Sequence, residues 1–116
     1  MVRLESLKKS NQFKKALKEK KFHSEYFSIF AAKNFYKPRE KTNLLISFVM
    51  KKKIGNAVKR NKIRRKLKAS IHKLLKTRGA INRDYTYIVF GKSNAYAKKQ
   101  SVLMPAMIQC FKKLSK

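Results

Sequence analysis

Apolar positions along this chain recur in two rhythms, and the switches between them mark its elements. Phe13, Ala16 and Leu17 stand at i, i+3 and i+4 behind Ser10, a residue suited to cap a helix, so a short amphipathic helix is predicted over about 11–20. Tyr26 to Ala32 (YFSIFAA) has the aromatic and β-branched content of a strand. On it Tyr26, Ser28 and Phe30 share one face, and Phe27, Ile29 and Ala31 the other. Asn34 to Thr42, with Pro38 and several charges, reads as a loop. Leu44 to Met50 is apolar on both faces and predicts a central strand. After the basic turn Lys51 to Asn56, where Gly55 can take a positive φ and Asn56 can cap, the helical rhythm returns. Ile63, Leu67, Ile71 and Leu74 form one stripe on a helix expected from Ala57 to about Lys76, with Gly79 as its stop. Tyr85 to Phe90 (YTYIVF) is the third strand. A last helix is expected from near Ser101, with Pro105 in or near its first turn and Met104, Met107, Ile108 and Phe111 inward. The order αββαβα predicts a single small α+β domain over 1–116, its helices packed on a small central sheet. Residues 1–9 and 114–116 are expected to be loose basic ends.

Charge changes this picture. Among 116 residues there are 32 Lys or Arg and 5 Asp or Glu, a formal net charge of +27. A hydrophobic fraction of 43% is ordinary for a globular domain, so the chain is not a basic tail. So much unpaired charge repels itself and calls for a polyanionic partner, of which nucleic acid is the commonest. It also predicts a chain that is poorly folded at low salt and compacts when sulfate, phosphate or RNA is added. The longest nearly apolar run, Leu44 to Met50, falls far short of the ~20 residues of a membrane span. The basic N-terminus has no continuous apolar segment of the kind a secretory signal needs. The single cysteine, Cys110, cannot form an internal disulfide and suits a reducing compartment. A cytoplasmic location is expected.

The cations are concentrated. Lys51 to Lys68 holds ten in eighteen residues, with no acid among them: Lys51, Lys52, Lys53, Lys59, Arg60, Lys62, Arg64, Arg65, Lys66 and Lys68. At about 100° per residue, Asn61, Arg64, Arg65 and Lys68 fall on one flank of the apolar stripe, with Lys62, Lys66 and Lys73 on the other. Arg60 lies in line with the stripe, one turn before Ile63. A helix anchored by Leu67, Ile71 and Leu74 would present these groups as a rigid comb. Guanidinium forks match phosphate geometry, and an amide such as Asn61 can read a base edge or a 2′-hydroxyl. An ordinary solvated face explains one or two lysines better than it explains ten.

The run KKKIGNAVKRNKIRRKLK, Lys51 to Lys68, resembles the signature of the protein subunit of bacterial ribonuclease P. The resemblance extends over nearly the whole chain in length, element order and the early helix bearing a Phe. One departure is visible: the core is Arg60-Asn61-Lys62 where the family usually has a second Arg, which keeps the charge but loses the two-point fork. The resemblance implies an accessory protein that helps a catalytic, Mg²⁺-requiring RNA remove the 5′ leader of precursor tRNA and broadens its substrate range. It implies that Arg60, Asn61, Lys62, Arg64, Arg65 and Lys68, with Lys52 and Lys53, contact that RNA. It implies a cleft for the single-stranded leader at Phe13, Leu17, Ser28 and Phe30. From the residues alone, docking of the first helix on the core is the slightly favoured role for Phe13 and Leu17, and the resemblance reverses that preference. The resemblance further implies a left-handed strand–helix–strand crossover, similar to one domain of a ribosomal protein, against the general right-handed rule.

Enzyme chemistry of the protein's own is not expected. Glu5, Glu19, Glu25, Glu40 and Asp84 are widely spaced, with no carboxylate cluster for catalytic metals. His23, His72 and Cys110 have no zinc-like spacing. The implied partners are the catalytic RNA and the precursor leader, with no membrane and no second protein required, and no cofactor on protein side chains. The competing reading is a structural, ribosomal-type RNA-binding protein, which would have no use for an apolar leader cleft. An independent metal nuclease is disfavoured for want of carboxylates.

Overall fold

A computed structural model describes residues 3–7, 10–33, 43–77, 79–82 and 84–114. Its elements in chain order are β1 (Leu4–Glu5), α1 (Ser10–Ala16), β2 (Lys20–His23), β3 (Phe27–Lys33), β4 (Leu44–Val49), a 3-10 turn (Lys52–Ile54), α2 (Ala57–Leu75), β5 (Tyr85–Gly91), a second 3-10 turn (Ser93–Ala95) and α3 (Gln100–Leu114). The five strands lie in the order β1-β4-β5-β3-β2. β5 is central, antiparallel to β3 and parallel to β4, so α2 is the crossover between neighbouring parallel strands. The α+β class and the αββαβα backbone of the chain stand, with two short strands added. The expected loop over 34–42 lies outside the described residues.

Alternation along the strands divides the sheet into two faces. Phe27, Ile29, Ala31, Leu44, Ile46, Tyr87 and Val89 are buried against α2 and α3. The α2 stripe is as the spacing predicts: Ile63, Leu67 and Ile71 have no exposed surface and Leu74 has 4%. Each such side chain removed from water contributes about 1.5–3 kcal/mol, enough to anchor the helix whatever its outer face carries. Gly91 is required where β5 meets α2, because a Cβ there would stand 2.9 Å from the Ile63 Cγ2. On the opposite face α1 covers only part of the sheet, burying Ala16 and Leu7 with Ile88 and leaving Phe13, Phe30, Val49 and Phe90 partly exposed.

Five expectations are corrected. The lead-in is not wholly loose: Leu4–Glu5 pairs in parallel with Leu44 and Leu45, and the Leu7 amide donates to the buried Ser47 hydroxyl at 2.8 Å. That anchoring uses backbone bonds and leaves no apolar rhythm to read. Leu114 is not part of a loose end but a buried residue of α3. The first helix stops at Ala16, because Lys20–His23 pairs antiparallel with Ser28–Ala31. Leu44–Met50 is internal only because β1 covers its outer edge, and β5 takes the centre. In α3 the inward stripe is Leu103, Met107, Cys110, Phe111 and Leu114, while Ile108 is 39% exposed and Met104 only partly covered. The Phe111 ring meets Tyr87 edge-on at 5.1 Å, which fixes that rotation. Pro105 sits just past the first turn, near it as expected, and removes the amide that would have bonded the carbonyl of exposed Ser101.

Candidate nucleic-acid interface

The N-terminal half of α2 is positioned by local chemistry. Asn56 caps the helix, its Oδ1 accepting the Lys59 amide at 2.9 Å. Gly55 precedes it with φ +152°, where a side chain would be strained and a Cβ would meet the Lys59 Cδ at 2.8 Å. Lys52 and Lys53 project, exposed, from the 3-10 turn just before. The comb then divides as the helical spacing predicts. Asn61, Arg65 and Lys68 are exposed and Arg64 is half-buried on one flank. The Asn61 Oδ1 accepts from the Arg64 Nη1 at 2.8 Å, so this amide oxygen orients a guanidinium. The Lys68 ammonium lies 5.6 Å from the centre of the Phe48 ring. Arg60 is half-buried, and its Nε is buried with no hydrogen-bond partner among the described residues. Lys62 belongs to the other flank, its ammonium 4.8 Å from the Tyr96 ring centre.

Where α1 leaves the sheet uncovered there is an open cleft of about 370 Å³, lined by Leu17, His23, Ser28, Phe30, Lys51, Lys53, Phe90, Gly91 and Lys92. Its floor is apolar and its walls carry three ammonium groups. The Phe30 ring meets Phe90 edge-on at 5.5 Å and His23 at 5.9 Å. The His23 Nδ1 and the Ser28 hydroxyl share a 2.6 Å hydrogen bond, and the Lys51 ammonium stands 5.7 Å from the Phe90 ring centre. Such a surface suits a segment with flat apolar faces and a phosphate backbone.

Three of the four residues expected at a cleft therefore meet in it: Leu17, Ser28 and Phe30. Phe13 does not line it but packs on the Leu7, Ala16 and Ile88 cluster beneath α1. Ser28 is 5% exposed and serves mainly to hold His23. Sequence reasoning missed His23, Phe90, Lys51 and Lys92 as lining residues. Phe90 had a signal, since YTYIVF alternation places it with Thr86 and Ile88. His23 had none without β2, whose register sets it opposite Ser28. Among the described residues, no three of His, Cys, Asp and Glu stand together so as to hold a metal ion, and no helix is long and apolar enough to cross a membrane.

Comparison with known proteins bears on the family and the fold. Residues 1–115 match the profile of a family described as Ribonuclease P. The chain is 32% identical over 90 residues to the ribonuclease P protein component of Listeria innocua, covering 77% of this chain and 70% of that one. Two solved structures share the fold. The RNase P protein from Thermotoga maritima superposes with a TM-score of 0.66 at 20% identity, covering 94% of this chain and 96% of that one. The Staphylococcus aureus RNase P protein gives 0.62 at 21% identity, with 96% and 94% covered.

Proposed function

The chain belongs to the ribonuclease P protein family, the protein subunit of a tRNA-processing enzyme, and from that premise we propose how its two surfaces divide the work. One flank of α2, with Asn61, Arg64, Arg65 and Lys68, docks on the ribonuclease P RNA, joined by Arg60 at the end of the apolar stripe and by Lys52 and Lys53 before the helix. Lys62 adds charge from the neighbouring flank. The cleft binds the single-stranded 5′ leader of precursor tRNA. The single observation that carries the leader assignment is the lining itself: Leu17, Phe30 and Phe90 below, Lys51, Lys53 and Lys92 around.

Aromatic faces accept any base and ammonium groups follow the phosphates, so this cleft tolerates variable leaders and selects for single strands. On this reading the RNA performs the hydrolysis and holds the Mg²⁺ it needs. The protein contributes affinity and position, which favours substrates that still carry a leader. The protein would work in the cytoplasm with precursor tRNA. A purely structural RNA-binding role is the weaker reading, because it gives the cleft nothing to do.

Reconstitution with a bacterial ribonuclease P RNA and precursor tRNA at low Mg²⁺ tests the proposal. Leader removal should accelerate, with the protein alone inactive. Absence of stimulation sinks the leader-binding role, and cleavage by the protein alone sinks the assignment of catalysis to RNA.

A further inference from the structure

Helix α2 carries cations on two shoulders, and of the second only Lys62 is accounted for above. At 100° per residue, Lys59, Lys62 and Lys66 lie about 140° around the axis from Arg64, Arg65 and Lys68. The two sets flank the buried stripe from opposite sides, and their nearest members, Lys62 and Arg65, are one turn apart on the outer face.

The second shoulder is built rather than scattered. Three ammonium groups converge on the Tyr96 ring, at 4.8 Å for Lys62, 5.3 Å for Lys59 and 6.0 Å for Lys66. Lys66 donates to the Tyr96 carbonyl and, at 2.9 Å, to the Lys98 carbonyl. Lys59 donates to the Ser93 hydroxyl at 2.9 Å. These bonds strap the turn Ser93–Ala95 and the loop after it onto the helix. Beside them opens a groove of about 500 Å³ that includes Tyr26, Lys59, Asn94, Tyr96 and Lys98, with Glu25 as its carboxylate. Burial, and then the neighbouring Lys62, hold the Lys66 ammonium below the ordinary lysine range. An aromatic face attracts one cation weakly and does little to offset three that repel one another. From Lys59 to Lys66 the helix rises about 10 Å, the span of about three phosphates of one strand. That length fits a polyanion better than a lone ion.

We propose that the Lys59, Lys62 and Tyr96 shoulder is a second RNA-contact surface, gripping a backbone segment of the RNA partner separate from the one held by Arg64, Arg65 and Lys68. The proposal rests on the subunit reading given above. Helix α2 then acts as a wedge between two RNA segments and holds them at a fixed separation.

Hydroxyl-radical footprinting and salt titration of the full chain on ribonuclease P RNA test it. The pair K59Q/K62Q, at half-buried Lys59 and exposed Lys62, should lower the log–log salt slope by about 1.4–1.8, two contacts at ~0.7–0.9 each. It should also lose protection on one RNA segment, while R64Q/R65Q loses protection on another. An unchanged slope and footprint in K59Q/K62Q, or loss of the same segment in both variants, overturns the proposal. Failure of the unaltered chain to bind the RNA overturns the subunit reading instead. Inorganic phosphate titrated onto the free chain, followed by amide shifts at Lys59 and Lys62, tests for a lone-anion site. Saturation there with an unchanged RNA footprint overturns the RNA assignment.

Discussion

Cys110 has no exposed surface, and burial pushes its thiol from 9.0 up to about 12. The folded chain keeps it protonated where the unfolded chain ionises. Its contribution to stability is therefore complete below about pH 9 and is lost as the pH climbs toward 12. Tyr87, buried in the same core with its hydroxyl donating to the Asn82 carbonyl at 2.7 Å, is pushed in the same direction. Lys66 has the opposite sign, since its lowered value lets the unfolded chain bind more protons as the pH rises. The two buried core groups dominate, so the urea midpoint should fall steadily above about pH 9. One thiol accounts for at most about 1.4 kcal/mol per pH unit. C110A should be less stable at every pH but show a shallower decline. An identical decline in C110A would mean that the thiol does not control it. At this scale the sequence was legible where local helix geometry suffices, as for Asn56 and the Ile63–Leu74 stripe. It was not legible for the full burial of Cys110, because the rotation of α3 is set by Phe111 on Tyr87, far away in the chain.

The elements that form the cleft come from three places: the end of α1, the paired strands β2, β3 and β5, and the turn before α2. Helix α2 could be read from sequence almost to the residue, because one helix carries both its rhythm and its charge. The cleft could be read only in part. Ser28 and Phe30 follow from alternation within β3, but His23 and Phe90 join them through register, opposite Ser28 on either side. A four-residue strand with one large apolar residue, Phe22, offers too little periodicity to predict that pairing. The cleft's role is tested by its floor. F30A should weaken binding of leader-bearing over leaderless tRNA by roughly 1–3 kcal/mol, the range for one base–aromatic stack. F13A, which alters the cluster behind the cleft, should destabilise the chain and weaken both substrates alike. Equal losses for both substrates in F30A would assign Phe30 to packing alone. Paired equilibrium binding assays on precursor and mature tRNA read the difference.

The net charge of +27 is carried by a molecule whose radius of gyration is 13.3 Å. The Debye length is about 10 Å at 0.1 M salt and about 30 Å at 0.01 M. In dilute buffer every cation therefore acts on every other across the whole molecule, and at physiological salt the repulsion becomes local. The apolar core opposes a penalty that depends on the solvent, while α2 keeps its cations fixed along one helix wherever the core holds. Multivalent anions act in two ways: they screen, and they bind the folded comb better than the expanded chain. Binding adds stability as RT ln(1 + [L]/Kd), which screening alone does not. Sulfate should therefore raise the urea midpoint more than sodium chloride at equal ionic strength, and ribonuclease P RNA should raise it further. Far-ultraviolet circular dichroism in anion-poor buffer should show a largely unfolded chain that gains helix on sulfate addition. Full helix content in that buffer, or equal effects of the two salts, would mean that the apolar core alone suffices for folding. If sulfate acts as expected, the charge that selects the RNA partner also makes folding conditional on meeting it.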